Sequence, residues 1–403
     1  MTHAHAGRFP IGAAATIAEL EADPHPLLAR LRASEPVSWL PALGGWLVTR
    51  RDLALTVMRD AETFTVDDPR FSTARVVGPS MLSLDGAQHT RHRTPFADRF
   101  RPRDVEARLA AFINAETKRL IAGLKPAGAA ELREAFAGPL AVAVVAESLG
   151  LAGADAATVL AWYDAIVGAV SDISAGLEPR PSGAEAFASL SASVRATVRA
   201  DDCDRDRDRG RNRDSLLAAA ADAGLELPEV VSNAAVMMFG GIETTAGMIV
   251  NAVLYLLSHP GQLELVRADP NLIADAVDES LRLESSVTVV DRYATRDVEL
   301  AGAPIRSGDL VEVSITGANR DPAVFDRPDG FDVRRPNARL HLAFAQGPHF
   351  CLGAHAARLE AQAAISTLLA ELPGLRLDPE RRREAPRGLV FRKPDHVHVR
   401  WDA

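Results

Sequence analysis

The strongest constraint on this chain is one long helical segment. Pro228, a residue favoured in the first turn of a helix, opens it, and the His259-Pro260 step closes it. Such an element needs a helical body around it, and the preceding sequence supplies one. Ala-, Leu- and Arg-rich stretches with helical periodicity occupy about 26–34, 87–97, 104–124, 132–149, 154–170 and 183–200, and further helices are predicted over Leu272–Leu283 and Leu352–Leu372. Strand signals are few: a hairpin of Val37–Trp39 with Trp46–Thr49 through Gly44-Gly45, then Arg292–Leu300, Leu310–Ile315, Leu389–Phe391 and Val397–Trp401. Residues 317–350 are loop-rich. This order lacks βαβ alternation and predicts a mainly α fold with a small β minority. Residues 1–403 read as one domain, with the alternating Asp/Arg stretch 201–214 as a charged surface connector.

Composition removes several function classes. A hydrophobic content of 47% supports a large core and excludes a disordered chain. The net charge of −9 gives no general attraction to nucleic acid or anionic lipid. Met1 to Pro10 carries no secretory pattern. The apolar runs Ala137–Ala146 and Ala234–Ile242 stop at Glu147 and Glu243, short of the roughly 20 residues of a membrane helix. A cytoplasmic protein is expected. Cys203 and Cys351 form neither a CxxC pair nor a zinc pattern, so a disulfide scaffold is not expected.

Cys351 lies in Phe344-Ala345-Gln346-Gly347-Pro348-His349-Phe350-Cys351-Leu352-Gly353, a tight loop feeding a predicted helix. The free N–H groups and positive dipole end of that helix would favour a thiolate. Three roles compete: a buried structural residue, a nucleophile paired with His355, or a metal ligand. Gly240-Gly241 costs the long helix about 2 kcal/mol of propensity relative to alanine, which close helix packing would explain. Glu243 and Thr244 beside them need polar partners inside an apolar element. Glu279 and Arg282, three apart, share a helix face, and such pairs are commonly surface decoration.

Taken together, these segments resemble the cytochrome P450 family, in its bacterial soluble class. Phe344, Gly347, His349, Cys351 and Gly353 match the haem-ligating signature in order and spacing, with Ala345 where the signature has its first glycine. Glu279-Ser280-Leu281-Arg282 is similar to the family's Glu-x-x-Arg, with Arg335 (or Arg334) as the later arginine that locks it. Gly240-Gly241-Ile242-Glu243-Thr244 is similar to the oxygen-groove motif. His89 and Arg93 match His-x-x-x-Arg, and Arg292 stands in an Arg-x-Ala-Thr strand. The likeness extends from Asp23 to the C-terminal strands and includes the loop Gly317-Ala318-Asn319-Arg320-Asp321-Pro322.

The resemblance implies a P450 fold and haem b with Cys351 as its metal ligand. Gly240, Phe344, Gly347 and Gly353 would border the haem, and His89, Arg93, Arg292 and His349 would hold its carboxylates. Thr244 would be the groove alcohol, Glu243 a relay to a proton supply, and Glu279, Arg282 and Arg335 structural support. The implied activity is monooxygenation of an apolar small molecule, such as a secondary metabolite, with hydroxylation expected. Oxidative coupling of aromatic groups is the alternative. A Cys351/His355 thiol hydrolase and a haem sensor leave Glu279/Arg282 or Glu243/Thr244 unexplained. Val76, Val77, Met81, Leu82, Val236, Met237, Val287, Val289, Val290 and Phe391 are the candidate substrate wall. Electrons would come from a ferredoxin and its reductase, docked on a basic patch of Arg91, His92, Arg99, Arg101 and Arg103.

Overall fold

The computed structural model of the protein describes residues 7–151, 154–174, 177–205 and 216–402. Its axis is the helix Leu227–Ser258, started by Pro228 and by a capping box between Glu226 and Glu229. Two hydrophobic clusters meet along it. Val230 to Ile242 pack with the helices Ser72–Val77, Ala156–Ser174 and Pro181–Arg205. Ala246 to Leu256 pack with Pro102–Leu124, Leu272–Leu283 and Ala354–Glu371. Glu243 and Thr244 therefore sit at the seam between two apolar clusters, where a polar group does not interrupt either one.

A five-stranded sheet lies to one side, in the order Val37–Leu40, Gly45–Val48, Leu310–Ser314, Val289–Ala294, Phe64–Thr65. The first two strands form the expected hairpin, with Val37 opposite Val48. Alternation along Val289–Ala294 sends Val289 and Val290 to opposite faces. Smaller sheets join Ala129–Glu131, His398–Arg400 and Arg376–Leu377, and pair Val298–Leu300 with Ala303–Ile305.

Several local expectations change. The run 292–300 is two strands, because the Asp297 carboxylate takes the Ser307 amide at 2.9 Å and Arg306 at 2.7 Å and turns the chain. The helix over 132–149 opens with a wide π turn at Arg133–Ala137. Pro139 offers no amide to continue the regular ladder there. Leu389–Phe391 is no strand: Phe391 makes an isolated bridge to Val287, and Val390 O accepts the Thr288 amide at 3.0 Å. The helix expected to stop at 200 runs to Arg205, so the connector begins later; residues 206–215 lie outside the described residues.

The membrane expectation also changes. By length and composition, Ala156–Ile173 and Leu227–Ser258 are both apolar enough to cross a bilayer. The apolar window of the second is 67% buried inside the protein, as a core helix is.

Candidate active site

The Cys351 loop is built on tight turns. The Cys351 amide donates to Phe344 O at 2.8 Å and the Phe350 amide to Gly347 O at 3.0 Å. Gly347 has φ +75°, and a Cβ there would lie 2.3 Å from Met58 O, so only glycine fits. Ala345 occupies the same left-handed region at φ +57°. The following helix starts at Ala354 with Gly353 as its N-cap. Cys351 is a free, half-buried thiol. Burial pushes its pKa up, against the Gly353 N–H, Arg93 and Arg358, so the helix end does not make a thiolate by itself. A bound metal cation would reverse that balance. His355 turns to Glu106, 3.6 Å away, and no Cys351–His355 contact occurs among the described residues.

Around this loop, Arg93 Nη2 donates to Phe350 O at 2.5 Å. The rings of His89 and His349 lie 4.4 Å apart. His349 Nε2 pairs with Asp85 Oδ1 at 2.8 Å. Asp85 also accepts Thr65 Oγ1 and the Val66 amide. Burial raises the Asp85 pKa, but these hydrogen bonds outweigh it and the carboxyl is held low. Burial first, then His349 and Arg93, lowers His89 to about 4. In the protein alone the His89 imidazole is therefore neutral. Its Nε2 has no partner, although the residue is 6% exposed. Arg292, 3% exposed, spends Nη1 on Asp291 O and leaves Nη2 unpartnered.

On the long helix the two glycines divide their tasks. A Cβ at Gly241 would meet Val145 Cγ2 at 2.5 Å, which is the close-packing role. Gly240 is exposed in mid-helix, and a Cβ there would meet nothing within 4 Å. Thr244 Oγ1 donates to Gly240 O, one turn back. Glu243 forms an ion pair with Lys393, a residue that no local pattern singled out. Leu352, next to Cys351, packs on the same cluster as Phe239 and Ile242, which ties the loop to this part of the helix.

Glu279 and Arg282 are wholly buried and bidentate, at 2.7 and 2.8 Å. Arg335 Nε reaches both Glu279 oxygens at 3.0 Å, whereas Arg334 is exposed. Arg282 also donates to the carbonyls of Asn319, Pro328 and Gly330, so its whole fork is used. This is a buried knot between the helix Leu272–Leu283 and the loop before Cys351.

The expected substrate wall divides. Val76, Leu82, Met237, Val287, Val290 and Phe391 are half-buried. Val77, Met81 and Val236 are sealed in the core at 2%, 6% and 8% exposure. Val289 turns to the outer face, packing with Leu20, Leu28 and Leu47, because the strand alternates. Phe239 was missed; its ring meets Phe391 edge-on at 5.5 Å. The expected basic patch also loses a member. His92 is 2% exposed and pairs with Asn233 at 3.0 Å, and Arg91 is bidentate to Glu229. Arg101, paired with Asp98 at 2.7 Å, and Arg103 stay at the surface, and Arg99 is half-buried.

The residues present fit a haem. Cys351 supplies a soft thiol ligand, His89 Nε2 and Arg292 Nη2 are buried donors awaiting acceptors, and Gly240 leaves its side of the helix uncovered. These features define a haem-thiolate oxygenase site on a helical scaffold. Residues 187–395 match the sequence profile of the family described as Cytochrome P450. The chain is 35% identical over 375 residues to the cytochrome P450 monooxygenase PikC of Streptomyces venezuelae, covering 89% of this chain and 86% of that protein. It is 33% identical to the vitamin D(3) 25-hydroxylase of Pseudonocardia autotrophica, covering 88% of each. Among solved structures, P450BioI in complex with hexadec-9Z-enoic acid ligated acyl carrier protein superposes with a TM-score of 0.83 at 30% identity. That match covers 94% of this chain and 98% of the other. The chain belongs to the cytochrome P450 family and is a P450 monooxygenase, an enzyme class that binds haem b through a cysteine thiolate.

Proposed function

We propose that this enzyme hydroxylates an apolar small molecule, of the secondary-metabolite kind, in the cytoplasm. The observation that carries this reading is the half-buried set Val76, Leu82, Met237, Val287, Val290 and Phe391, which offers aliphatic, thioether and aromatic surface without a charged group. The relatives are consistent with it, since one is named for hydroxylation of vitamin D(3).

In this reading Cys351 holds the haem iron, and His89 Nε2 and Arg292 Nη2 take the haem carboxylates, with Arg93 and His349 bordering them. Gly240, from the long helix, and Phe344, Gly347 and Gly353, from the Cys351 loop, would border the haem. The haem supplies dioxygen activation when bound. Thr244 donates its proton back to Gly240 O, so its hydroxyl oxygen is left to act as an acceptor. Glu243 holds a proton-exchanging carboxylate at the neighbouring helix position. Glu279, Arg282 and Arg335 keep the loop before Cys351 in place.

Electrons arrive from a ferredoxin and its reductase. Phe350, 41% exposed beside Cys351, and the exposed arginines Arg101 and Arg103 support docking of an acidic partner there. Charge reversal at Arg101 and Arg103 should weaken ferredoxin-driven turnover and spare peroxide-driven turnover. Equal loss in both assays would remove this surface from the docking site.

The test of substrate class is an optical titration of the purified enzyme with terpenoids, fatty acids, macrolides and aromatic peptides. A Soret band moving from low toward high spin with an apolar class supports the proposal. Movement only with charged ligands would overturn it.

A further inference from the structure

Four residues spaced by four along the long helix, Phe239, Glu243, Gly247 and Asn251, meet one short C-terminal segment. The Phe239 ring meets Phe391, and Glu243 pairs with Lys393. A Cβ at Gly247 would lie 3.5 Å from Lys393 Cδ, so the lysine stem runs over that glycine. Asn251 Nδ2 donates to Arg392 O at 3.0 Å. Residues at this spacing follow one ridge of a helix, so the segment Phe391–Lys393 lies along that ridge.

The segment is held firmly from its other side. Arg392 Nε pairs with Glu284 Oε1 at 2.8 Å, and its Nη1 and Nη2 donate to Glu21 O and Ala22 O. Glu284 is buried and also meets His25 and Tyr255 at 3.1 Å each. The Arg392 amide donates to Ser286 O, and Lys393 pairs through both backbone groups with Arg387. With its backbone fixed in this way, Lys393 is directed at the helix.

Lysine is rare in this protein: only Lys118, Lys125 and Lys393 occur. Lys393 is 13% exposed and Glu243 21%. Burial, with Arg133 adding and Asp395 opposing, lowers the Lys393 ammonium to about 8. A buried ion pair of this kind adds little net stability, because desolvation offsets most of the attraction. Its placement matters more, since it fixes the one acid at the seam of the long helix.

We propose that Lys393 is a positioning residue for Glu243, holding that carboxylate charged and drawn to the segment that also carries Phe391. Proton supply and the substrate wall are then joined through two residues of one turn. This rests on the proposed function for its consequence in turnover, but the pair itself does not. Productive turnover takes substrate, dioxygen, two electrons and two protons to hydroxylated product and water. Poorly timed proton supply returns the same electrons and protons as hydrogen peroxide, with the substrate unchanged.

The test uses the full-length holoenzyme and the variants K393M, K393R, E243Q and K393M/E243Q. NMR of isotope-labelled dimethyl-lysines in the diamagnetic ferrous carbon monoxide complex follows all three lysines separately. E243Q should lower the titration midpoint of Lys393 and leave Lys118 and Lys125 in place; an unmoved Lys393 would overturn the pair. With myristic acid as probe and a surrogate ferredoxin, K393M should raise peroxide per NADPH by at least about threefold, K393R should restore it, and K393M/E243Q should be no worse than E243Q alone. Losses that simply add, or equal loss in K393M and K393R, would overturn the positioning role. Failure of the proposed function reads differently: the carbon monoxide complex would lack the thiolate spectrum, or myristic acid would stay unoxidised, while the lysine titration still decides the pair.

Discussion

Arg282 meets Glu279 through two hydrogen bonds of 2.7 and 2.8 Å, and neither side chain is exposed to solvent. Arg335 adds a second guanidinium to the same carboxylate, and backbone carbonyls occupy the remaining Arg282 protons. Removing the shared carboxylate leaves two buried cations without compensation. Glu279→Ala should cost about 3–5 kcal/mol, and Arg282→Ala, which leaves Glu279 paired with Arg335, should cost less. Urea unfolding of both variants checks the order.

Ala345 and Gly347 share the left-handed backbone region, and only one of them is glycine. Ala345→Gly should therefore stabilise the protein by about 1 kcal/mol by relieving the Cβ. Gly347→Ala should lose about 3 kcal/mol, since the new Cβ would also collide with Met58 O. Thermal melts moving in opposite directions are expected.

The adjacent glycines of the long helix make an internal control. In the haem-free protein Gly240→Ala adds a methyl that meets nothing within 4 Å and should gain about 1 kcal/mol of helix propensity, a gain that the haem it would border should reduce. Gly241→Ala drives a methyl against Val145 and should lose about 1–3 kcal/mol despite the same propensity gain. Denaturation midpoints of the pair read this difference, and a haem absorbance change confined to Gly240→Ala would place its open side at the cofactor.

Glu360 is 3% exposed, its Oε1 has no partner, and burial alone pushes its pKa to about 8 from 4.5. Between those values the folded protein holds a proton that the unfolded chain has released. Stability contributed by this group is full at low pH and falls as pH rises toward 8. Glu360→Gln, neutral at every pH, should flatten that dependence and be more stable than wild type near pH 8 by about 4 kcal/mol. Unfolding curves from about pH 5 to about pH 8 test the slope.

Much of the site was legible because its signals are local. Residues three apart on a helix must share a face, so Glu279 and Arg282 could be paired from spacing, and a glycine two residues before His349 marks a special turn wherever it folds. The helix started by Pro228 and the hairpin around Gly44-Gly45 follow from the same short-range chemistry. Packing between distant segments is not written in any window. His92 lies on the same helix as Arg91 and Arg93, but only the neighbouring Asn233 decides that it is buried. Strand alternation was readable, but which face of Val289–Ala294 meets the N-terminal helices depended on the whole sheet, and that removed Val289 from the substrate wall.

Charge states divide in the same way. The dipole at a helix start argued for a thiolate at Cys351, yet desolvation by the surrounding fold outweighs it. The resemblance made His89 a partner for the haem carboxylates, and its neutrality in the protein alone comes from burial first and then from His349 and Arg93. Lys393 gave no local signal, because its meaning lies entirely in the carboxylate it meets across the fold. Periodicity, turn chemistry and spacing were enough to place most helices, the tight cysteine loop and the shared helix face of Glu279 and Arg282, whose burial only the fold shows. Only three-dimensional packing set which polar groups lose water and which acid meets which base, since desolvation and Coulomb energy depend on distance in space and not along the chain.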